Sequence, residues 1–286
     1  MTHHLRGTSS NLIRLYCAVA LFPGAFAAGT ATTSAAERAL PSLAAREQFL
    51  ETAQIVSEQP IAKGLTKTRK AILSDGHITH AAHIQPIDVY MADFHGTDGS
   101  EERDFKDSWK FNVAAYRLAK LLDLTDMVPV SVERVVDDKP SAVTWWVDDI
   151  LMDEKQRIEG NIRPPDIDHW TDQVNTVRTF DQLIYNMDRN RENILISTDW
   201  NIWMIDESRA FRKWPSLKNP SDITVCNPDL QRALGALNLA AVTRELSPYL
   251  TAEEIAGLMA RRDLIVGLLK DHASAPRAKA KLGRGN

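Results

Sequence analysis

Cysteine is almost missing from this 286-residue chain, which has two, Cys17 and Cys226. Cys17 falls inside an N-terminal apolar stretch that reads as a leader, so Cys226 would stand alone after its removal. That excludes an intramolecular disulfide and a cysteine-based zinc site, and leaves core packing to hold the fold. Nor does Cys17 mark a lipid-attachment site, because "IRLYC" lacks small residues just before the cysteine. An excess of basic residues is absent too: 34 Lys and Arg face 38 Asp and Glu, a formal net charge of -4, with a pI near 6.1. A nucleic-acid partner normally demands a dominant basic surface, so that class is disfavoured. The N-terminal apolar stretch "LYCAVALFPGAFAA" is shorter than the roughly 20 apolar residues of a membrane span. No internal repeat organises the chain.

What is present is enough apolar residues, 44% of the chain, for one large domain or two small ones. At the N-terminus, Arg6 and Arg14 precede or begin the short apolar core, which exits through small residues. Over residues 1–28 this fits a secretory signal peptide, cleaved near Ala25 to Ala28; the other reading is an uncleaved buried or anchoring helix. The expected product is an exported protein, periplasmic or extracellular, with no stable transmembrane segment. Residues 29–45 read as a flexible segment.

From there the pattern predicts an N-terminal lobe over residues 46–158. Apolar spacing at Phe49, Ala53 and Val56 predicts a helix from Arg46 to Glu58, closed by Pro60. Asp75-Gly76 is a hairpin signal between "KAILS" and "HITHAAHIQPIDV", after an earlier turn at Gly64 and Thr66. The polar "HGTDGSEERDFKDS" reads as a loop or flap. Phe111, Ala115, Leu118 and Leu122 then form one stripe of a helix, and "MVPVSVERVVDDKPSAVTWWVDDIL" alternates like two strands joined across "DDKP". Beyond the connector "EGNIRPPD", residues 159–272 are expected to form a mostly helical lobe. It has a helix over "DHWTDQVNTVRTFDQLIYN", a hairpin in "ILISTDWNIWMI", and helices over roughly 229–246 and 252–272. Thr251 with Glu254 makes a capping-box pattern at the start of the last one. Residues 273–286 read as a disordered basic tail. The fold class is α+β, a small antiparallel sheet with one main helix followed by a helical lobe.

Chemistry concentrates in "YNMDRNREN". Asp188 and Asn193 have the D-x-x-x-x-N spacing of a kinase catalytic loop, and the hairpin that follows delivers Asp206 in "WMIDESRAF". Transfer of a terminal phosphoryl group needs a carboxylate near the attacking hydroxyl and oxygen ligands to hold Mg2+ against nucleotide phosphates. Asp188 suits the first task, and Asn193 with Asp206 the second. A carboxylate at the end of the apolar "IWMI" would be costly unless a metal compensated it.

"NMDRNREN" followed by "ILISTDWNIWMID" resembles the catalytic loop and hairpin aspartate of atypical kinases: the HipA-type, phosphatidylinositol-kinase-like, and Golgi casein kinase and four-jointed families. The nearest resemblance is to a bacterial exported group similar to them, and it spans roughly Phe49 to Leu269. It implies a bilobal protein-kinase-like fold, ATP as nucleotide, Mg2+ or Mn2+ as metal, and an acceptor hydroxyl of unknown identity. By it, Asp188 matches the catalytic or water-orienting aspartate, Arg189 the arginine that follows it, and Asn193 and Asp206 the metal ligands. Thr66 and Lys67 occupy the turn expected to cover the phosphates, and Trp146 or Trp145 falls where the adenine pocket is lined.

The departures are specific. Asn190 stands where histidine is usual, and Glu207-Ser208 replaces the familiar Phe-Gly. The strand expected to carry a nucleotide lysine offers His83 or Gln85, and the helix offers Asn112 in place of its glutamate partner. Lys63, Lys67 and Lys70 are the basic residues able to substitute. An Mg-dependent phosphotransferase is the leading expectation. An exported pseudokinase that binds nucleotide or a partner is the second, and a hydrolase using Asp188 and Asp206 as a carboxylate pair is the third.

Overall fold

A computed structural model describes residues 42–61, 68–96, 99 and 101–274. The expected signal peptide, Thr66, Lys67 and nearly all of the basic tail lie outside the described residues.

The first helix, α1 (Leu43–Thr52), is capped by Ser42 and buries Phe49 and Leu50. It stops well short of the expected end at Glu58, because Ala53 turns extended (φ -63, ψ 142) and the chain continues as strand β1 (Gln54–Pro60). Val56, counted in the helical stripe, is 54% exposed. β-branched Ile55 pairs with Leu73 of the next strand, and Val56 falls at the irregularity between Ile55 and Ser57.

That next strand, β2 (Arg69–Ser74), turns through Asp75-Gly76 into β3 (Thr79–Gln85). Asp75 fixes the turn by accepting hydrogen bonds from the backbone of His77 and Ile78. Most of the segment expected to be a flap is instead strand β5 (Glu101–Ser108), which pairs with the strand before it, β4 (Asp88–His95). Its charged sequence gives little strand signal. What holds it is tertiary: Phe94 and Phe105 stack at 4.4 Å, Lys106 pairs with Glu254 at 2.5 Å, and Glu102 bonds both Arg209 and the fully buried Arg212.

Helix α2 (Trp109–Leu122) follows as the sequence predicts, capped by Ser108 and buried along Phe111, Ala115, Leu118 and Leu122. Strands β6 (Ser131–Val136) and β7 (Lys139–Trp145) are joined by Asp137 and Asp138, both at positive φ (50 and 60), the two-residue geometry that matches strand twist. The five strands pair antiparallel in the order β1-β2-β3-β7-β6. Helices α1 and α2 pack against β6 and β7.

After β7 the chain leaves this sheet, forms β8 (Ile150–Asp153) and enters α3 (Glu154–Glu159), a short helix with a capping box between Asp153 and Gln156. Helix α4 (Ile167–Ile184) buries Val177, Phe180 and Ile184 and ends at Tyr185 in the left-handed conformation. Strands β9 (Ile194–Ser197) and β10 (Ile202–Met204) then complete a three-stranded sheet with β8. The helix expected over 229–246 is two: α5 (Pro228–Ala236) and α6 (Leu239–Leu246). Asn238 breaks the run by accepting from the backbone N–H of Ala241 as the cap of α6. Helix α7 (Ala252–Ser274) starts at the expected capping box, Thr251 and Glu254 bonding each other's backbone N–H.

Candidate active site

A cavity of about 770 Å³ lies between the five-stranded sheet and the helical part of the chain. Asp188, Asn193 and Asp206 all line it, together with His83, Asn112 and Trp146. Residues spread over more than a hundred positions of sequence therefore meet in one cleft.

The loop that presents Asp188 is built by asparagines. Asn186 accepts from the backbone N–H of Asp188 at 2.9 Å. Asn190 accepts from those of Glu192 and Asn193, at 2.9 and 3.1 Å, and so caps the short 3-10 turn Arg191–Asn193. Such Asx turns make a polar loop hold one shape. Asn193 donates its Nδ2 to the Asp188 carbonyl at 3.3 Å, and its Oδ1 has no partner among the described residues. Asp206 follows β10 with φ 58, a left-handed position that aspartate tolerates better than most residues. It is exposed to the cleft rather than enclosed, so its charge is not the burden the sequence suggests.

Beneath the loop lies Arg189, its side chain 10% exposed. The guanidinium forks onto both oxygens of Asp181 and onto Glu207 at 2.6 Å. Its Nη1 also donates to the carbonyls of Asn193 and Ile205, at 3.0 and 2.9 Å. Arg189 is thus turned away from the cleft and braces the backbone on which Asn193 and Asp206 sit. Burial pushes the Glu207 carboxyl up to about 7, with Arg189 pulling against it. Burial also raises Asp188; Arg209, whose guanidinium lies 3.8 Å away, lowers it, and the charge of Asp206 raises it again. Asp107 on β5 feels the same two aspartates and is raised chiefly by its own burial.

On the opposite wall, Gln85 and Asn112 form a short amide pair, Asn112 Nδ2 donating to Gln85 Oε1. Gln85 donates in turn to Asp206 at 3.5 Å, and Asn112 accepts from the Glu207 backbone N–H at 2.8 Å. A neutral relay from β3 through α2 to the Asp206 turn therefore stands where a lysine-glutamate ion pair is expected. Gln85 is 1% exposed and faces α2. His83, two residues earlier, lines the cleft, and burial holds its imidazole below the ordinary range against the pull of Asp206. Trp146 lines the cleft with Lys70 Nζ 4.0 Å above its ring. Trp145 packs into the fold, stacked on His80 at 3.7 Å and edge-on to Phe49.

The donor set suits a hard divalent cation. Asn193 Oδ1 and the Asp206 carboxylate offer oxygen donors, the kind that Mg2+ and Mn2+ prefer. Among the described residues no group of three His, Cys, Asp or Glu side chains forms a metal cage. Sequence reasoning missed Asp181, Asn186, Glu207 and Asp107. Asn186 had a signal, the N-x-D spacing of an Asx turn, and Glu207 stands next to Asp206; Asp107 comes near the two aspartates only through the fold. A second cavity, about 560 Å³, adjoins the loop and shares Asp188 and Asn190 with the first.

No protein-family model matches the chain, and no curated protein sequence does. Solved structures do. Fam20 of hydra, determined with a sugar, is 14% identical at a TM-score of 0.59, covering 80% of this chain and 88% of its own. The Golgi casein kinase with manganese and ADP bound is 13% identical at 0.58, covering 81% and 76%. Another structure of the Golgi casein kinase gives 12% and 0.57, covering 82% and 76%. The likeness covers 80 to 82% of this chain, and the fold is a bilobal protein-kinase-like one.

Proposed function

We propose that this protein is a metal-dependent phosphotransferase that moves the terminal phosphoryl group of ATP, or a similar nucleotide, to a hydroxyl acceptor. The observation that carries the reading is the convergence of Asp188, Asn193 and Asp206 on one cleft of nucleotide size. The fold likeness to a kinase described with manganese and ADP supports it.

Asn193 and Asp206 would hold Mg2+ or Mn2+, which supplies charge neutralisation of the nucleotide phosphates. Asp188 takes the proton of the acceptor hydroxyl as that oxygen bonds to phosphorus and the bond from phosphorus to the leaving diphosphate breaks. Burial raises its pKa, which makes it a stronger base toward that proton. Arg189 keeps the loop and the Asp206 turn in register through the carbonyls of Asn193 and Ile205. Charged N-terminal residues and the short apolar core support export before the protein acts, which N-terminal sequencing of the mature chain tests.

A thermal-shift series with Mg2+ and ATP tests the reading. The wild type should be stabilised, Asp206→Ala should not, and transfer of labelled phosphate should vanish in Asp188→Ala. No shift in the wild type sinks every nucleotide-based reading. A shift without transfer to any acceptor favours the second reading, a pseudokinase, which the missing lysine-glutamate pair supports.

A further inference from the structure

Nucleotide phosphates need a cation, and the cleft offers few. Its rim is acidic, with Asp148, Asp153, Glu192 and Asp206 among its lining residues. His83 is an imidazole whose charging burial disfavours, and Gln85 and Asn112 are amides paired with each other. Among the described residues, Lys70 is the one lysine or arginine lining the cavity.

Its place on the sheet is defined by register. Lys70 on β2 lies directly opposite His83 on β3. Directly opposed residues of an antiparallel pair project from the same face, with Cβ atoms roughly 5 Å apart. A lysine at position 70 therefore addresses the same patch of the cleft as a side chain at position 83. That patch is the phosphate end, since Gln85, two residues along β3 from His83, donates to Asp206 at 3.5 Å and His83 and Asp206 line the same cavity. No described carboxylate pairs with Lys70; its ammonium rests on the Trp146 ring at 4.0 Å. This contact is weak enough to exchange for a phosphate.

Building on the nucleotide reading above, we infer that Lys70 is the phosphate-binding cation of this cleft. The positive charge comes from the neighbouring strand, and β3 brings His83 and the Gln85 of the Gln85–Asn112 amide pair. The chemistry recognised is the polyphosphate of a nucleoside di- or triphosphate. The base and ribose are not contacted by this charge.

Titration calorimetry on the full chain with Mg2+ tests this, comparing ADP, ATP and adenosine. Lys70→Met should weaken ADP and ATP by roughly 10- to 100-fold, the worth of one charge-assisted contact, and leave adenosine within twofold. Adding His83→Lys to Lys70→Met should restore ATP affinity, because the charge returns to the same patch from the opposite strand. Unchanged ATP binding in Lys70→Met overturns the inference. An equal loss of ATP and adenosine also overturns it, since Lys70 would then act only by packing on Trp146. A double variant with no recovery overturns the shared subsite. A wild type that binds adenosine but gains nothing from the phosphates removes Lys70's role alone, whereas a wild type that binds none of the three removes the nucleotide reading as well.

Discussion

Replacing Arg189 with methionine should cost this protein about 3 to 5 kcal/mol, the usual penalty for deleting one partner of a buried ion pair. Here the partners are Asp181 and Glu207, whose side chains are 13% and 3% exposed, and two backbone carbonyls lose their donor as well. Only Asn186 would remain to donate to the two carboxylates. With a urea slope of about 2.5 kcal/mol/M, the unfolding midpoint should fall by about 1.5 M. Arg189→Lys should lose about half as much, because a point charge cannot span four acceptors set around a planar fork. Neutralising the stranded acids, by adding Asp181→Asn and Glu207→Gln to Arg189→Met, should recover at least about 1 kcal/mol. A midpoint shift below about 0.3 M for Arg189→Met, or a triple variant no better than the single, would refute the view of Arg189 as the brace of the loop.

Gly257→Ala should destabilise α7 although alanine is the better helix former by about 1 kcal/mol. The added Cβ would stand 2.6 Å from the Lys213 carbonyl oxygen, an overlap worth about 1 to 3 kcal/mol, and a raised melting temperature would contradict this. Glu102→Gln should cost about 3 kcal/mol, because the fully buried Arg212 loses its carboxylate partner; urea unfolding with an unchanged slope reads it directly. Burial pushes the Cys226 thiol from 9.0 to about 11, so its thiolate is about a hundredfold scarcer at pH 8 than in the unfolded chain. Thiol reagents should therefore label it slowly in native buffer and fast in urea. Because the folded pKa lies above the unfolded one, its contribution to stability holds below about pH 9 and fades as pH rises toward 11; equal labelling rates would argue against burial.

Much of the architecture was legible because it rests on local pattern. The α2 stripe, the Asp75-Gly76 turn, the Asp137-Asp138 turn and the Thr251–Glu254 cap each follow from spacing within a few residues. The β4–β5 hairpin was not legible: "EERDFKDS" carries almost no strand propensity and pairs because Glu102 and Lys106 find Arg212 and Glu254 more than a hundred positions away. Helix α1 was read too long for the opposite reason. Its apolar spacing continued past Thr52, but the backbone hydrogen bonds of residues 54–60 were taken by β2. At the site, the loop and hairpin announced Asp188, Asn193 and Asp206, whereas Arg189 could be placed beside Asp188 in sequence without any hint that it faces inward.

The sequence by itself determined the periodicities, the turns and the spacing of Asp188, Asn193 and Asp206, since each is set by geometry along a short piece of chain. It also determined that β3 could bring histidine and glutamine to the cleft but no lysine, and that α2 carries no glutamate. Only the tertiary structure decided which of these met. Strand register put Lys70 across from His83, and the docking of α2 on the sheet joined Gln85 to Asn112. The physical reason is range: propensity and capping act over a few residues, whereas the position of a charge in a cleft is settled by which distant strands pair and which way each side chain then points.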